Sequence, residues 1–291
     1  MTYRSEVQAP KSGGVLIIAT LLILVAALLA RSWLRSTLLQ NGFTHYLAAD
    51  LSYLIVPPLL ALCLTPIVRS RPGSFCALFR VDGLSLRLVL TAIMIGLLLR
   101  IAWWSQLFAG VALGIYADSE AAQTLQPKFA FECPAAAALL LGLVVTVLLV
   151  PIVEEIVNRG LLQSFLSHLG PLLAIPAAAC LFALTHRFAS WTFVFGAGLI
   201  LGVLFWKTQA LWLSLATHAS FNGLALFDWR CVQGQWNPPL TSLPLWQVAI
   251  PGLVTLIIAI ISIAFLLHKK IPGRTRLPGN APVTERLRPA R

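Results

Sequence analysis

Charge is what this chain has least of: only 11% of its 291 residues are Asp, Glu, Lys or Arg, while 58% are hydrophobic. A soluble globular domain carries about a quarter of its residues as charges, so that class is excluded. Its five cysteines form no Cys-x-x-Cys pair and no ligand-like spacing, which leaves a metal knuckle or a disulfide framework without support. Cys63 and Cys180 stand in apolar runs and read as small buried side chains. Also missing are an internal repeat of the kind that marks many secondary transporters and any polar stretch large enough for a separate soluble domain.

Present instead are apolar runs of bilayer length. A helix needs about 20 such residues to cross a hydrocarbon core, because unpaired backbone groups cannot be left in lipid. Runs fall near residues 15–34, 46–68, 84–110, 134–157, 171–186, 188–206, 210–228 and 245–267. Their length, in place of ten-residue alternation, excludes a barrel. The expected fold is all-α: a polytopic membrane bundle of about eight helices, with both termini on one side. Lys11 before the first run is compatible with a cleaved leader, but seven further spans favour an uncleaved anchor. Residues 1–133 form the N-terminal helices of this bundle without a readable signature, 134–230 hold its polar clusters, and 231–291 supply the last helix and a basic tail.

The net charge of +11 is concentrated in two places. Lys269, Lys270, Arg274, Arg276, Arg286, Arg288 and Arg291 lie in the tail, and Arg69, Arg71, Arg80 and Arg87 come after the second run. An eight-helix count puts both groups on one side, which is the positive-inside pattern. The expectation is a cell-membrane protein with cytoplasmic N- and C-termini, its tail attracting anionic lipid; nucleic acid is not an expected partner. Segments 116–133 and 229–243 read as loops on the opposite face. Trp103, Trp104, Trp191, Trp206, Trp212, Trp229 and Trp246 read as interfacial anchors, and Arg100 as a snorkelling charge.

Three polar clusters interrupt the oil. In Pro151-Ile-Val-Glu-Glu-Ile-Val-Asn-Arg-Gly160, Glu155 and Arg159 are four apart and can pair on one helical face. Glu154 lies about 100° round the helix, and two adjacent buried carboxylates repel, leaving one as a candidate general base. Phe182-Ala-Leu-Thr-His186 ends the fifth run. Counting from the turn at Gly170-Pro171 back to Glu155 and forward to His186 gives nearly equal numbers, so an antiparallel hairpin sets the two at similar depth. His218-Ala-Ser-Phe-Asn222 places two hydrogen-bond donors on one face, as a developing oxyanion requires. Singly, each cluster also fits an ion pair or polar contact that fixes packing. Together they point to one shared cavity, since ionisable groups at membrane depth are costly.

These motifs resemble the CAAX protease and bacteriocin-processing (Abi) family of glutamic-type intramembrane endopeptidases, over roughly residues 134–230. The family's Glu-Glu-x-x-x-Arg corresponds to Glu154, Glu155 and Arg159, its Phe-x-x-x-His to Phe182 and His186, and its His-x-x-x-Asn to His218 and Asn222. The resemblance implies an eight-helix bundle in which Glu154 with His186 activates a water, His218 and Asn222 stabilise the oxyanion, and Glu155 with Arg159 braces the site. It implies a membrane-associated protein or peptide substrate and no cofactor. Without a Gly-x-Ser-x-Gly elbow a serine mechanism is disfavoured. Three alternatives stay open: zinc held by the same glutamate and histidines, although His-Glu-x-x-His is absent; an immunity or scaffold protein without catalysis; and a transporter relaying protons through Glu154, Glu155 and His186. The charge pattern puts Gly170 on the cytoplasmic side and His186 toward the outer half, which suits an exported substrate with a C-terminal anchor. That placement holds only if the fourth helix runs on through Arg159 to His168 and does not lay residues 158–168 flat on the inner surface.

Overall fold

The computed structural model describes residues 13–69, 79, 84–112, 135–186, 188–226 and 245–268. The basic tail from residue 269, segments 116–133 and 229–243, and Lys11, Arg71, Arg80, Cys76, Cys133 and Cys231 lie outside the described residues. Every regular element among the described residues is helical: α1 Gly13–Gln40, α2 His45–Tyr53, α3 Val56–Arg69, α4 Leu86–Ala112, α5 Ala136–Leu169, α6 Pro171–Leu184, α7 Trp191–Thr208, α8 Leu211–Leu226 and α9 Leu245–His268. Among these residues, six segments are long and apolar enough to cross a bilayer. The chain is a multi-pass membrane protein, and the all-α bundle matches the sequence expectation.

The second expected span is divided into α2 and α3. Pro57 and Pro58 lack the N–H groups that would bind the preceding turn, and their rings crowd its carbonyls, so the helix restarts at Val56. Lipid-facing positions are apolar, such as Leu22, Leu62, Leu172 and Ile261, while the buried polar residues Glu155, Asn158, Arg159 and Gln163 face inward from α5. Cys180 is exposed on α6, contrary to the buried position expected for it. Arg100 does not simply snorkel; its guanidinium packs 5.3 Å from the rings of both Trp104 and Phe221.

α5 is one continuous helix of 34 residues, about 50 Å long, so residues 158–168 do not lie flat. It contains two wide π-helical stretches, Leu143–Leu149 and Ile156–Gln163, a feature frequent at functional sites. Pro151 leaves a gap in the main-chain bonding after the first stretch. The Val150 N–H bonds to Val145 O and Pro151 has no N–H, so Thr146 O has no main-chain donor ahead of it. In the second stretch a hydroxyl fills the equivalent gap, Ser164 Oγ donating to Arg159 O at 2.9 Å.

Gly170 turns the chain from α5 into α6 with φ +79°, a left-handed conformation that favours glycine. α6 has 14 residues, about 21 Å, so it is shorter than a hydrocarbon core of about 30 Å. α7 packs on α6 through Gly198 and Gly202: a Cβ at these positions would meet Ala179 Cβ at 3.0 Å and Ile175 Cγ2 at 2.8 Å. α4 and α8 approach more closely still. A Cβ on Gly96 would lie 2.1 Å from Thr217 O, and Thr217 Oγ1 donates to Ala92 O at 2.9 Å. That clamp turns His218 to the other side of α8, toward α5. Lys207 Nζ donates to Leu267 O at 2.6 Å and Trp212 Nε1 to Phe79 O at 2.7 Å, so the α7–α8 turn, the end of α9 and the segment after α3 share one face of the bundle.

Candidate active site

Helices α5 and α8 bring Glu154, Glu155, Arg159 and His218 together, and Phe182 of α6 packs beside them. Glu155, wholly buried, accepts at Oε1 from Arg159 Nη1 at 3.1 Å and from His218 Nδ1 at 2.9 Å. Arg159 is buried too; its Nη2 donates to Gly198 O at 3.2 Å, and its guanidinium lies 4.8 Å from the centroid of the Phe182 ring. The cation is therefore matched by a carboxylate, a carbonyl dipole and an aromatic face, which together offset the cost of burying it. Arg159 and Phe182 are nearly equidistant in sequence from Gly170, so the antiparallel register inferred for the α5–α6 hairpin is the observed one.

The two glutamates occupy different environments. Glu155 is held at Oε1 by Arg159 and His218, and its Oε2, like that of Glu154, has no hydrogen-bond partner among the described residues; Glu154 lacks the double anchor, and its Oε2 stands 3.7 Å from His218 Nε2. His218 thus bridges the pair, with Nδ1–H on one carboxylate and Nε2 facing the other. The Glu154 side chain retains 21% of its exposure, although its Oε2 is itself buried.

His186 lies just beyond the end of α6. Its Nδ1 is 3.0 Å from Phe182 O and 3.1 Å from Thr185 Oγ1. The carbonyl can only accept, so Nδ1 carries the hydrogen and Nε2 of the neutral ring keeps a lone pair. Nε2 makes no hydrogen bond among the described residues. Trp191 Nε1 donates to His186 O at 2.9 Å, fixing the turn, and the His186 ring meets that of Phe182 edge-on at 4.8 Å between centroids. Phe182 is the shared wall, its ring also 6.1 Å from that of His218. Asn222 reaches in another direction: Nδ2 donates to Thr146 O at 2.8 Å, the carbonyl left open by Pro151.

Other residues that position the site carry no motif in the sequence. Gln163, 1% exposed, donates from Nε2 to Gly202 O at 2.9 Å, one helical turn along from the Arg159–Gly198 contact. A signal for this contact exists in Gly198-Leu-Ile-Leu-Gly202, the small-x-x-x-small spacing that lets helix backbones approach. Asn158 donates from Nδ2 to Glu154 O at 2.7 Å. Among the described residues no group of three His, Cys, Asp or Glu side chains is arranged to hold a metal ion.

Comparison with known families turns on the segment that builds these contacts. Residues 136–224 match the family model of the type II CAAX prenyl endopeptidases, Rce1-like. The family resemblance read from the motifs is borne out, and the Rce1-like segment contains all of Glu154, Glu155, Arg159, Phe182, His186, His218 and Asn222. No curated protein and no solved structure matches the chain. The family implies CAAX-protease activity in the plane of a bilayer, with a protein substrate.

Proposed function

We propose that this protein is a glutamic-type intramembrane endopeptidase that hydrolyses a peptide bond near the C-terminus of a membrane-anchored or exported protein. One observation carries the reading: of two adjacent glutamates at membrane depth, one is anchored at Oε1 by both Arg159 and His218, and the other has no such anchor among the described residues, its Oε2 unpartnered and 3.7 Å from an imidazole nitrogen. A carboxylate in that condition is suited to take a proton from water.

In this mechanism a water sits between Glu154 Oε2 and the Nε2 lone pair of His186. Glu154 accepts one of its protons as the oxygen bonds to the scissile carbonyl carbon, and the carbonyl π electrons move onto the carbonyl oxygen. The amide hydrogen of Asn222 not bonded to Thr146 O donates to that oxyanion, and protonated His218 donates from Nε2 into the same space. The proton held by Glu154 passes to the leaving nitrogen, the C–N bond breaks, and the products are a carboxylic acid and an amine. Glu155 and Arg159 act through His218 by fixing its ring. No acyl-enzyme forms, so no nucleophilic side chain is required.

The segment 134–230 is the catalytic core in this reading, with the remaining helices completing the bundle. Arg69, Arg87 and Lys207 gather at the Gly170 end of the bundle, which supports a cytoplasmic orientation for that end and for both termini. His186 then lies in the outer half of the membrane, reached from the side where α6 falls short. A reporter fused after Gly170 is expected to be cytoplasmic. The decisive experiment compares membrane proteins from cells carrying wild-type protein or Glu154→Gln, tracking C-terminal fragments that disappear. Unchanged processing in Glu154→Gln, His186→Ala and His218→Ala, each shown to be folded, sinks the assignment.

A further inference from the structure

Asp50 is a buried carboxylate, 9% exposed, on α2, far outside the Rce1-like segment. Its Oδ1 accepts from Thr146 Oγ1 at 2.9 Å. A threonine hydroxyl inside a helix ordinarily turns back to the carbonyl four residues earlier; that residue is Gly142, and here the hydroxyl crosses instead to another helix. The crossing passes beside Gly142, where a Cβ would stand 3.5 Å from Asp50 Oδ2, an ordinary contact, and 3.3 Å from Leu226. Arg31 of α1 is the cationic neighbour of Asp50 and packs 4.8 Å over the ring of Tyr53, one turn further along α2.

The same threonine meets Asn222 through its main chain. Thr146 O is the carbonyl that Pro151 and the π-helical register leave without a backbone donor, and Asn222 Nδ2 supplies the missing hydrogen bond at 2.8 Å. A carbonyl can only accept, so this contact dictates which end of the Asn222 amide faces α5. Hydroxyl and carbonyl of one residue are thus fixed from opposite sides, by Asp50 and by Asn222.

We infer that Asp50 is a positioning residue for the reaction: through Thr146 it locks the Asn222 amide so that its second N–H points into the site. The inference rests on the proposed peptidase reading for its catalytic consequence, and on the Asp50–Thr146–Asn222 geometry alone for its existence. It gives the N-terminal helices, which carry no family motif, a role in the chemistry.

The test uses the full-length protein purified in lipid nanodiscs. Asp50→Ala, Thr146→Val, Asn222→Ala and the double variant Asp50→Ala/Asn222→Ala are compared by thermal unfolding, and by cleavage of a prenylated peptide ending in Cys-a-a-X. If the relay exists, the melting-temperature losses of Asp50→Ala and Asn222→Ala do not add; the double variant falls short of the sum by about 2 °C or more. Turnover falls roughly tenfold or more in Asp50→Ala with KM little changed and falls no further when Asn222→Ala is added; as single variants, Thr146→Ser keeps the wild-type turnover and Thr146→Val loses it. Additive melting losses overturn the relay, as do independent, multiplicative losses of turnover. If Glu154→Gln cuts as well as the wild type, the peptidase reading fails; a wild type that leaves this peptide whole removes prenylated Cys-a-a-X tails from its substrates. The unfolding cycle then decides by itself whether Asp50 and Asn222 are coupled.

Discussion

The guanidinium of Arg159 lies over the ring of Phe182, 4.8 Å from its centroid, and this contact locks α5 and α6 in register at the depth of the glutamates. Arg159 is 1% exposed and Glu155 is fully buried, so removing either partner strands a charge in a dry interior. Arg159→Ala is expected to cost about 3–5 kcal/mol, read as a large fall in thermal stability in nanodiscs. Arg159→Lys should recover little of it, because an ammonium cannot reach Glu155 and Gly198 O together while covering a ring face. A melting temperature unchanged in Arg159→Ala would contradict the burial described.

Glu154 gives the opposite pattern. Its Oε2 makes no hydrogen bond among the described residues, so Glu154→Gln should change stability by less than about 1 kcal/mol while abolishing hydrolysis. His186→Ala should lower turnover by roughly 10²–10⁴-fold, the range for a positioned general acid or base. Measured together, melting and turnover test the proposed division between a glutamate that reacts and one that supports it. Equal destabilisation by Glu154→Gln and Glu155→Gln would remove that distinction.

Three glycines form a graded series. A Cβ on Gly196 meets nothing within 4 Å, one on Gly202 meets Ile175 Cγ2 at 2.8 Å, and one on Gly96 lies 2.1 Å from the main-chain Thr217 O. Gly196→Ala should be neutral or stabilising by up to about 1 kcal/mol, through helix propensity alone. Gly202→Ala should cost about 1–3 kcal/mol by overpacking. Gly96→Ala should cost about 3 kcal/mol or more, since backbone cannot yield as a side chain does. Any other order of melting temperatures would show that the α4–α8 and α6–α7 approaches are looser than described.

Metal dependence is settled by exhaustive chelation. Both ring nitrogens of His218 already face carboxylates, and hydrolysis through a Glu154-activated water should continue at full rate in a strong chelator. Loss of activity restored by zinc would replace the glutamic mechanism with a metal one.

Much of this arrangement can be read from the residues because polar groups in an apolar chain stand out. Glu154, Glu155, Arg159, His186, His218 and Asn222 are marked by cost alone, and the count from Gly170 sets α5 against α6 in the register observed. The continuity of α5 is harder to see: Asn158, Arg159, Gln163 and Ser164 look like the start of an interfacial segment when hydropathy is read along the chain. The first three are buried and Ser164 half-buried because carbonyls on α7 and α5 itself accept from them, and hydropathy does not record a partner. Asp50 is invisible in the sequence for a related reason. A single acid in a span of moderate hydropathy carries no motif, and its meaning comes from Thr146, which is 96 positions away. The π-helical register is likewise set by tertiary contacts as much as by Pro151.

The brevity of α6 has a consequence for the surrounding lipid. A helix of 14 residues beside one of 34 forces a hydrophobic mismatch, relieved most cheaply when the nearby leaflet thins and its headgroups sink toward the shorter helix. Such a dimple would carry solvent toward the level of His186 without a dedicated channel, so in the proposed mechanism the bilayer itself becomes part of how the reactive water is delivered.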